Sequence, residues 1–439
     1  MPKPRRPADL SRDHARPRTV PAPSAAAVEA RLAELVTPAL FAAGEEYRRL
    51  GLRARVLTLP VMVGVVLALV WRQVASVAEL VRLIEREGFF LVPRREFSPQ
   101  ALSLRLRVLP AALFGRVFAD LLPTLRTRAA ARTRPLPPAL AAVRARFPVV
   151  WAADGSTLEA VFKRVGLLRG VTDPALGGAI CAIVDVATRL PVELWFDPEA
   201  AGNDGRFRDR IAAALPDGAL LLVDRGFYAF PFFDWFTDHG RWFVTRAREV
   251  AAFDAVATLA ATPRVHDRVV AFGKYRSNPC AHPLRLVEVT VGARRYRYLT
   301  NVLDPAALTA AQVHALYGER WRVEEAFALV KRLLGLGYLW SGSANAVALQ
   351  VWATWLLYAV LVDLTDAVAD ELGLPLAALS LEMTFRGLYH FSVAAAHGTA
   401  TDPVAYLADP ANRDLGVVKR TRPKRARDRL ANLPPELNL

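Results

Sequence analysis

The stretches 149-VVWAADGST-157 and 219-ALLLVDRGF-227 decide the fold. Each begins with a short apolar run, rich in valine, leucine and alanine, that has the length of a buried strand. Each run is followed at once by an aspartate, Asp154 in the first and Asp224 in the second. The sequence therefore predicts two buried strands that each carry a carboxylate at the carboxyl end.

The segments around these two runs predict a mixed α/β sheet. Residues 179–187 and 190–196 predict a strand pair with a turn at Thr188-Arg189, and residues 203–215 predict a helix. A further strand is expected at 242–245. An early hairpin followed by strands that alternate with helices is typical of the α/β class.

The outer segments extend this core on both sides. We expect a disordered basic arm (1–30), a helical N-terminal domain (31–125), a catalytic core (145–250 and 302–340), a β-rich insertion (250–301), C-terminal helices (341–400) and a basic tail (401–439). The core ends on a long helix predicted over residues 311–334.

Carboxylates at the carboxyl ends of neighbouring strands lie where open α/β sheets place their chemistry. Asp154 and Asp224 could bring two Mg²⁺ ions close together there, since hard cations prefer oxygen ligands, and Mn²⁺ could substitute. Such a pair of ions catalyses in-line phosphoryl transfer. Two aspartates alone are weak evidence, because aspartate is also common in turns.

A third carboxylate lies on the long helix, in a tetrad that we define as Tyr317, Arg320, Glu324 and Lys331. At about 100° per residue all four fall within an arc of roughly 60°. Beside a scissile phosphate, the carboxylate would bind metal and the cations would hold phosphate oxygens. An ordinary amphipathic helix with an Arg320–Glu324 ion pair is the alternative interpretation.

The net charge of +15, carried mostly by arginine, favours a polyanionic partner. Two distant cysteines and no apolar leader at the N-terminus favour a cytoplasmic protein. The apolar run 56–71 is short for a membrane span and contains Pro60, so a buried helix explains it better. We therefore expect a nucleic-acid partner and no membrane.

The N-terminal region offers a candidate DNA reader. Ser98-Pro99 is a good helix start, and the helix that follows carries Arg105 and Arg107. These arginines could face DNA in a helix-turn-helix, or a helical bundle with a solvated basic face could carry them. His314, the histidine nearest to the tetrad, is expected at the surface.

Together these motifs resemble the DDE transposases of the insertion-sequence-4 family. The tetrad matches that family's signature at every spacing, and Asp154 in Ala-Asp-Gly-Ser-Thr and Asp224 in Val-Asp-Arg-Gly-Phe resemble its first two catalytic aspartates. The resemblance covers residues 149–336 well and the flanks only generically.

The resemblance implies an RNase H-like catalytic core, interrupted by the β-rich insertion. It also implies cut-and-paste transposition, in which a freed 3′-OH attacks target DNA. The catalytic residues would be Asp154, Asp224 and Glu324. A homodimer would hold two terminal inverted repeats of double-stranded DNA in a paired-end complex. Arg225 could contact DNA, or it could pair within the protein.

One feature departs from the family. Relatives can hold a flipped base with an aromatic wedge and a tryptophan in the insertion, but no tryptophan lies between Trp242 and Trp321. Tyr296, Tyr298 or Trp321 could substitute, or the hairpin step could proceed differently.

Three rival functions follow from the same residues. Another RNase H-like nuclease or resolvase would share the acidic triad without needing the tetrad. A decayed transposase would only bind DNA. A membrane protein is the third and weakest rival.

Overall fold

The computed structural model describes residues 25–418, apart from 53–54, 73, 75, 159–177, 200–201, 249–251, 274–276, 335 and 337–342. Its helices are α1 (Ala25–Arg49), α2 (Leu59–Trp71), α3 (Val77–Arg86), α4 (Pro99–Val108), α5 (Ala112–Ala131), α6 (Pro138–Arg146), α7 (Arg208–Ala214), α8 (Phe230–Asp238), α9 (Ala310–Glu319), α10 (Trp321–Arg332), α11 (Ala344–Glu371), α12 (Leu381–Ala396) and α13 (Pro403–Ala408). Its strands are β1 (Val150–Thr157), β2 (Ala179–Asp185), β3 (Pro191–Asp197), β4 (Leu220–Val223), β5 (Trp242–Arg246), β6 (Phe253–Ala261), β7 (Val265–Phe272), β8 (Leu284–Val291) and β9 (Arg294–Thr300).

The strands of the described chain form one sheet in the order β3-β2-β1-β4-β5-β9-β8-β7-β6. Strands β1, β4 and β5 run parallel to one another, and the remaining neighbours are antiparallel. The parallel neighbours β4 and β5 are joined through helix α8, since a parallel pair needs a crossover connection. The mixed α/β sheet that the sequence predicts is confirmed.

The central strands are apolar throughout because both of their faces are covered. Leu220 and Leu222 of β4 face the core that contains residues of α10 and α11. Leu221 and Val223, which alternate with them, face a second, phenylalanine-rich core under α7 and α8. Alternate side chains of a strand point to opposite faces, so a strand between two cores needs apolar residues at every position.

Helix α11 lies at the centre of the helical part of the chain and contacts α1, α2, α4 and α5. The side chain of Asp363 in α11 is fully buried and accepts hydrogen bonds of 2.5 Å from Arg31 Nη2 and from Arg132 Nη2. By length and apolarity α11 could cross a membrane, and the bent pair α4 and α5 passes the same test together. In this fold 89% of the most apolar window of α11 is buried inside the protein.

Several element limits differ from the sequence expectations. Helix α1 begins at Ala25, inside the stretch expected to be disordered, and α13 lies inside the expected tail. The remainder of the arm (1–24) and of the tail (419–439) lies outside the described residues. The segment expected to be one helix at 203–215 begins as a short 3-10 turn, Asp204–Phe207.

The β-rich insertion is part of the main sheet. Its last strand, β9, pairs with β5 in the register Val244↔Thr300, so β6 to β9 continue the sheet beyond the core strands. Sequence alone predicts strands there but cannot show that their partner is β5, because that pairing joins residues far apart in the chain.

Candidate active site

The two aspartates lie side by side because their strands are parallel neighbours. Ala153 of β1 is in register with Val223 of β4, and Asp154 and Asp224 are the next residues along each strand. Asp224 follows the end of β4, as predicted. Asp154 was predicted just beyond a strand, but β1 continues through it to Thr157, paired with β2 (Asp154↔Ala182).

The long helix expected over 311–334 is two helices, α9 and α10, which meet at Arg320. Arg320 keeps helical backbone angles (φ −51°, ψ −31°), so the four residues of the tetrad stay near one face despite the break. Helix α10 packs on β1 and β2 through Val323, Phe327 and Val330, which are all buried. This packing brings the tetrad over the aspartates.

Each member of the tetrad contacts the site. Tyr317 Oη donates to Asp224 Oδ1 at 3.1 Å. Arg320 Nη1 donates to Asp154 Oδ2 at 2.8 Å, and its Nη2 donates to Glu324 Oε1. Lys331 Nζ donates to Ser156 Oγ at 2.6 Å and to the Thr157 carbonyl at 2.7 Å. The structure thus brings together Asp154, Asp224, Glu324 and the rest of the tetrad.

Burial and crowding of negative charge set the electrostatics of the site. Asp154 is 9% exposed. Its burial raises the pKa of its carboxyl to about 7, against the opposing effect of the Arg320 guanidinium and with help from the charge of Asp224. Burial likewise raises the pKa of the Tyr317 hydroxyl, so this group stays protonated and donates to Asp224. Burial is therefore the largest influence on the pKa of both groups, and the Arg320 guanidinium opposes it in both.

Arg320 carries a donor without an acceptor. The residue is 7% exposed, and its Nε has no hydrogen-bond partner in the described part of the chain. A buried donor left unpaired destabilises the fold by roughly 1–3 kcal/mol. Its position beside the carboxylates makes it a candidate donor to an oxygen of a bound phosphate.

The donor set suits a hard divalent cation, because it consists of carboxylate oxygens. As the described side chains are placed, no group of three or more His, Cys, Asp or Glu residues is arranged to hold an ion. The Arg320 guanidinium pairs with both Asp154 and Glu324. The guanidinium and a cation would compete for the same oxygens.

The other predicted DNA contacts are not part of this cluster. Arg225, next to Asp224, is exposed. Arg105 is half-buried and donates to the Tyr47 hydroxyl at 2.5 Å, a contact within the protein, whereas Arg107 is exposed on the same helix. Ser98 caps that helix as predicted, accepting from the Ala101 amide.

The aromatic residues considered for a base wedge differ in exposure. Tyr298 is 2% exposed and its hydroxyl lies 2.7 Å from Nδ1 of His314, so His314 is buried and the expectation of a surface position was wrong. Tyr296 is half-buried against the same imidazole ring. Trp321, at the start of α10, is 45% exposed and is the most accessible of the three.

Sequence reasoning missed two residues of this site. Ser156 follows the first aspartate by two positions and holds Lys331. Asp204, in the 3-10 turn before α7, lies against Gly155 and Gly226: a β-carbon on Gly155 would lie 2.0 Å from its Oδ1, and one on Gly226 would lie 2.6 Å from its Oδ2.

Comparison with known proteins agrees with the chemistry of this site. Residues 177–360 match the family model of the Transposase DDE domain, a match that includes Asp224 and the tetrad and begins after Asp154. It supports a DDE transposase. No curated protein matches the sequence. Among solved structures, the cryo-EM structure of a piggyBac transposase synaptic complex with hairpin DNA is similar at 10% identity and a TM-score of 0.36, covering 90% of this chain and 86% of that chain. That TM-score is too low to carry an argument, so the support for a DDE transposase comes from the match to the family model.

Proposed function

We propose that this chain is a cut-and-paste transposase of the insertion-sequence-4 type, which cleaves the ends of its element and joins them to target DNA. One observation carries the proposal: Asp154 within β1, Asp224 directly after β4 and Glu324 of α10 converge around Arg320 and Tyr317. An ordinary amphipathic helix would not require its Arg and Tyr to reach aspartates on two neighbouring strands.

The order β3-β2-β1-β4-β5, with β2 antiparallel to β1 and with β4 and β5 parallel to it, supports an RNase H-like core. In this proposal residues 145–250 and 302–340 form the catalytic core and 250–301 its insertion. The helices at 31–125 and 341–400 surround it.

The three carboxylates would hold two Mg²⁺ ions, with Mn²⁺ as a substitute. When bound, such ions stabilise the charge on the attacking and leaving oxygens of a phosphoryl transfer. The protein itself orients these ligands: the Tyr317 hydroxyl fixes one oxygen of Asp224, and the Gly155 amide donates to Asp154 Oδ1 at 2.9 Å.

The cationic side chains would bind the DNA backbone at the site. Arg320 has a buried Nε available for a phosphate oxygen, and a charged donor gives a strong hydrogen bond to phosphate. Lys331 is held near the end of β1 by Ser156 and Thr157 and would supply a second cation to the phosphates. Arg225 is exposed beside Asp224 and would contact the backbone from the rim.

The partners follow from this mechanism. The substrates would be terminal inverted repeats and target DNA, both double-stranded, and the net charge of +15 suits such polyanions. A homodimer would pair the two ends in the bacterial cytoplasm. Arg107, exposed on α4, is a candidate contact to the repeat, whereas Arg105 is engaged with Tyr47.

The test is Mg²⁺-dependent cleavage of a DNA end that carries the element's own terminal repeat. The matched pair of variants is Glu324→Gln and Glu325→Gln. Glu325 is the next residue, but it pairs with Arg322 at 3.0 Å rather than with the aspartates. We expect Glu324→Gln to abolish cleavage while keeping specific binding, and Glu325→Gln to cleave normally.

The outcomes separate the rival functions. Specific binding without cleavage by the unmodified chain would favour a DNA-binding relic. Cleavage without strand transfer of the freed 3′ end would favour a nuclease or resolvase. Equal cleavage by both variants would remove Glu324 from the site.

A further inference from the structure

Three arginines of the β-rich insertion share one buried glutamate. Glu288 of β8 is 3% exposed, and its carboxylate contacts three guanidinium groups, at 2.5 Å from Arg268 Nη2, 2.7 Å from Arg295 Nη2 and 2.9 Å from Arg297 Nε. We call these four residues the arginine cluster. Because arginine stays protonated, the cluster has an excess of two positive charges.

The arginine cluster lies on the face of the sheet opposite to the tetrad. Tyr298 of β9 packs against Tyr317 of the tetrad. Alternate residues of a strand face opposite sides, so its neighbour Arg297 faces away from the tetrad. Glu288 is directly opposite Arg297 in the register of β8 and β9. The cluster is accessible from that face, since the side chain of Arg295 is 54% exposed.

The arginine cluster also lies along the edge of the sheet at which β4 and β5 end. Asp224 follows Val223, which is in register with Thr245 of β5. Thr245 is in turn opposite Leu299 of β9. Because β9 runs antiparallel to β5, the residues before Leu299 continue towards this edge. Arg297 therefore lies one residue past the level of Asp224.

The spacing of the strands sets the distance from the active site. Strand β8, which carries Glu288, is the third strand from β4 in the sheet. At about 4.8 Å per strand, it lies about 14 Å from β4. Neighbouring phosphates of one DNA strand are about 3.4 Å apart along the duplex axis. A duplex that follows this edge would therefore bring to the cluster a phosphate about four nucleotides from the cleavage point.

The arginine cluster has donors for a further anion. Arg268 Nε is buried and has no hydrogen-bond partner in the described part of the chain. Three guanidinium groups carry about fifteen N–H donors, whereas a carboxylate has about four lone-pair positions. Glu288 therefore cannot accept from all of them. Phosphate oxygens match the planar donor fork of arginine.

Two more arginines extend the positive charge along this edge. Arg264, between β6 and β7, and Arg294, at the start of β9, are both exposed. Besides Glu288, the acidic residue of the segments 264–268 and 288–297 is Asp267, whose carboxylate is paired with Arg285 at 2.5 Å. The accessible surface of these segments is therefore strongly basic, which suits a polyanion.

We propose that the arginine cluster binds the phosphate backbone of the duplex beside the cleavage point, and that Glu288 takes the place of a phosphate until DNA binds. This inference rests on the proposed function and adds to it a DNA contact outside the active site. Contacts to phosphate position a duplex without reading its sequence. The cluster would therefore bind flanking DNA of any sequence.

The test measures the Kd of the full chain for a duplex that carries the terminal repeat and flanking DNA, in EDTA and over a range of salt concentrations. Arg295→Gln should reduce the salt dependence by about one phosphate contact. Its loss of affinity should thus be about three- to fourfold greater at 50 mM than at 200 mM salt. The matched control is Arg386→Gln on α12, an exposed arginine paired with Glu382 at 2.9 Å, which should keep the unmodified salt dependence.

Glu288→Gln distinguishes a DNA contact from an ion-pair network that only stabilises the fold. It leaves three guanidinium groups without their carboxylate, so the Tm should fall while affinity for the duplex rises. Glu382→Gln is the control, since Glu382 is also shared by two arginines, Arg332 and Arg386, and its loss should leave DNA affinity unchanged. A fall in Tm without a gain in DNA affinity in Glu288→Gln would overturn the inference. Arg295→Gln, which leaves Glu288 paired, decides the matter if Glu288→Gln does not fold.

Replacing single phosphates with uncharged methylphosphonates locates the contact. One or two positions about four nucleotides from the cleavage point should weaken binding by the unmodified chain but not by Arg295→Gln. Equal penalties at every position in both chains, or an unchanged salt dependence in Arg295→Gln, would overturn the inference and keep the proposed function. Failure of the unmodified chain to cleave with Mg²⁺, while Arg295→Gln still weakens binding, would instead overturn the proposed cleavage and leave the DNA contact.

Discussion

Arg320 is the residue whose replacement tests the electrostatics of the site most directly. Its guanidinium pairs with Asp154 and Glu324 and so lies where a cation would have to bind. We propose the change Arg320→Met, which keeps the aliphatic bulk and removes the charge. Without the guanidinium, the carboxylates repel one another in a largely buried site.

The magnitude follows from the burial of the pair. Removing one partner of a buried ion pair destabilises a protein by about 3–5 kcal/mol, because it leaves an uncompensated buried charge. Asp154 can take up a proton, since its pKa is already about 7, so the loss should be near the lower figure at pH 6 and larger at pH 8. A cation at about 100 times its Kd would restore about 2.7 kcal/mol.

The assay compares Tm in EDTA and in saturating Mg²⁺ or Mn²⁺. Arg322→Met is the matched control, since Arg322 is two residues away and pairs with Glu319 at 2.8 Å and Glu325 at 3.0 Å, away from the aspartates. Both variants should be less stable than the unmodified chain in EDTA. The cation should restore more stability to Arg320→Met than to Arg322→Met, and should bind it more tightly than it binds the unmodified chain.

An equal rise in Tm of the two variants on addition of the cation would contradict competition between the guanidinium and the cation. Weaker cation binding by Arg320→Met than by the unmodified chain would contradict it too, since the guanidinium would then support the cation site. The first result would mean that the contacts of Arg320 stabilise the fold without affecting cation binding.

Three further predictions use other parts of the structure. In EDTA the stability of the chain should fall as pH rises from about 4 to about 7. The pKa of Asp154 is about 7 in the folded chain and 3.8 ordinarily, so in that range the Asp154 carboxyl ionises only in the unfolded chain. In thermal melts of Asp154→Asn, the free energy of unfolding should fall less steeply with pH. The difference in slope should be up to about 1.4 kcal/mol per pH unit, the maximum for one proton. Ser156→Ala removes one of the hydrogen bonds that hold Lys331, so single-turnover cleavage should slow by about tenfold while cation affinity stays unchanged; equal rates would show that the contact is incidental. Asp363→Ala removes a fully buried carboxylate that three arginines share and should lower stability by about 3–5 kcal/mol, whereas Ala at exposed Glu371 should change little in the same urea titration.

The features that could be predicted from the sequence are those whose evidence is local. The apolar runs before Asp154 and Asp224 and the spacing of the tetrad are all patterns within a few residues, and physical periodicity interprets such patterns well. The Ser98 cap belongs to the same class, since its hydrogen bond closes within three residues. Each of these features could be stated before any long-range contact was known.

The features that were missed depend on distant contacts. The pairing of β9 with β5 and the burial of His314 against Tyr298 join segments that are separate in the sequence. Asp204 was missed because its significance comes from glycines at 155 and 226, which are neighbours only in the folded chain. A glycine close to each of Asp154 and Asp224 is visible in the sequence, but only the folded chain shows the side chain that lies against both.

The charge of the whole chain differs from that of its site, and this difference predicts the order in which DNA and the cation bind. The chain carries a net charge of +15, yet the carboxyl groups of Asp154, Asp224 and Glu324 lie around the guanidinium of Arg320. DNA should therefore be attracted to the protein without metal, with an affinity that falls steeply with salt, as expected for backbone contacts. The scissile phosphate, however, would be repelled by the carboxylates until a cation neutralises them. We thus expect Mg²⁺ to change overall affinity for the terminal repeat only modestly, but to protect the phosphate at the cleavage point from chemical probing. Protection of that phosphate in EDTA would mean that Arg320 alone compensates the carboxylates. The predicted need for a cation before the phosphate binds would then be wrong.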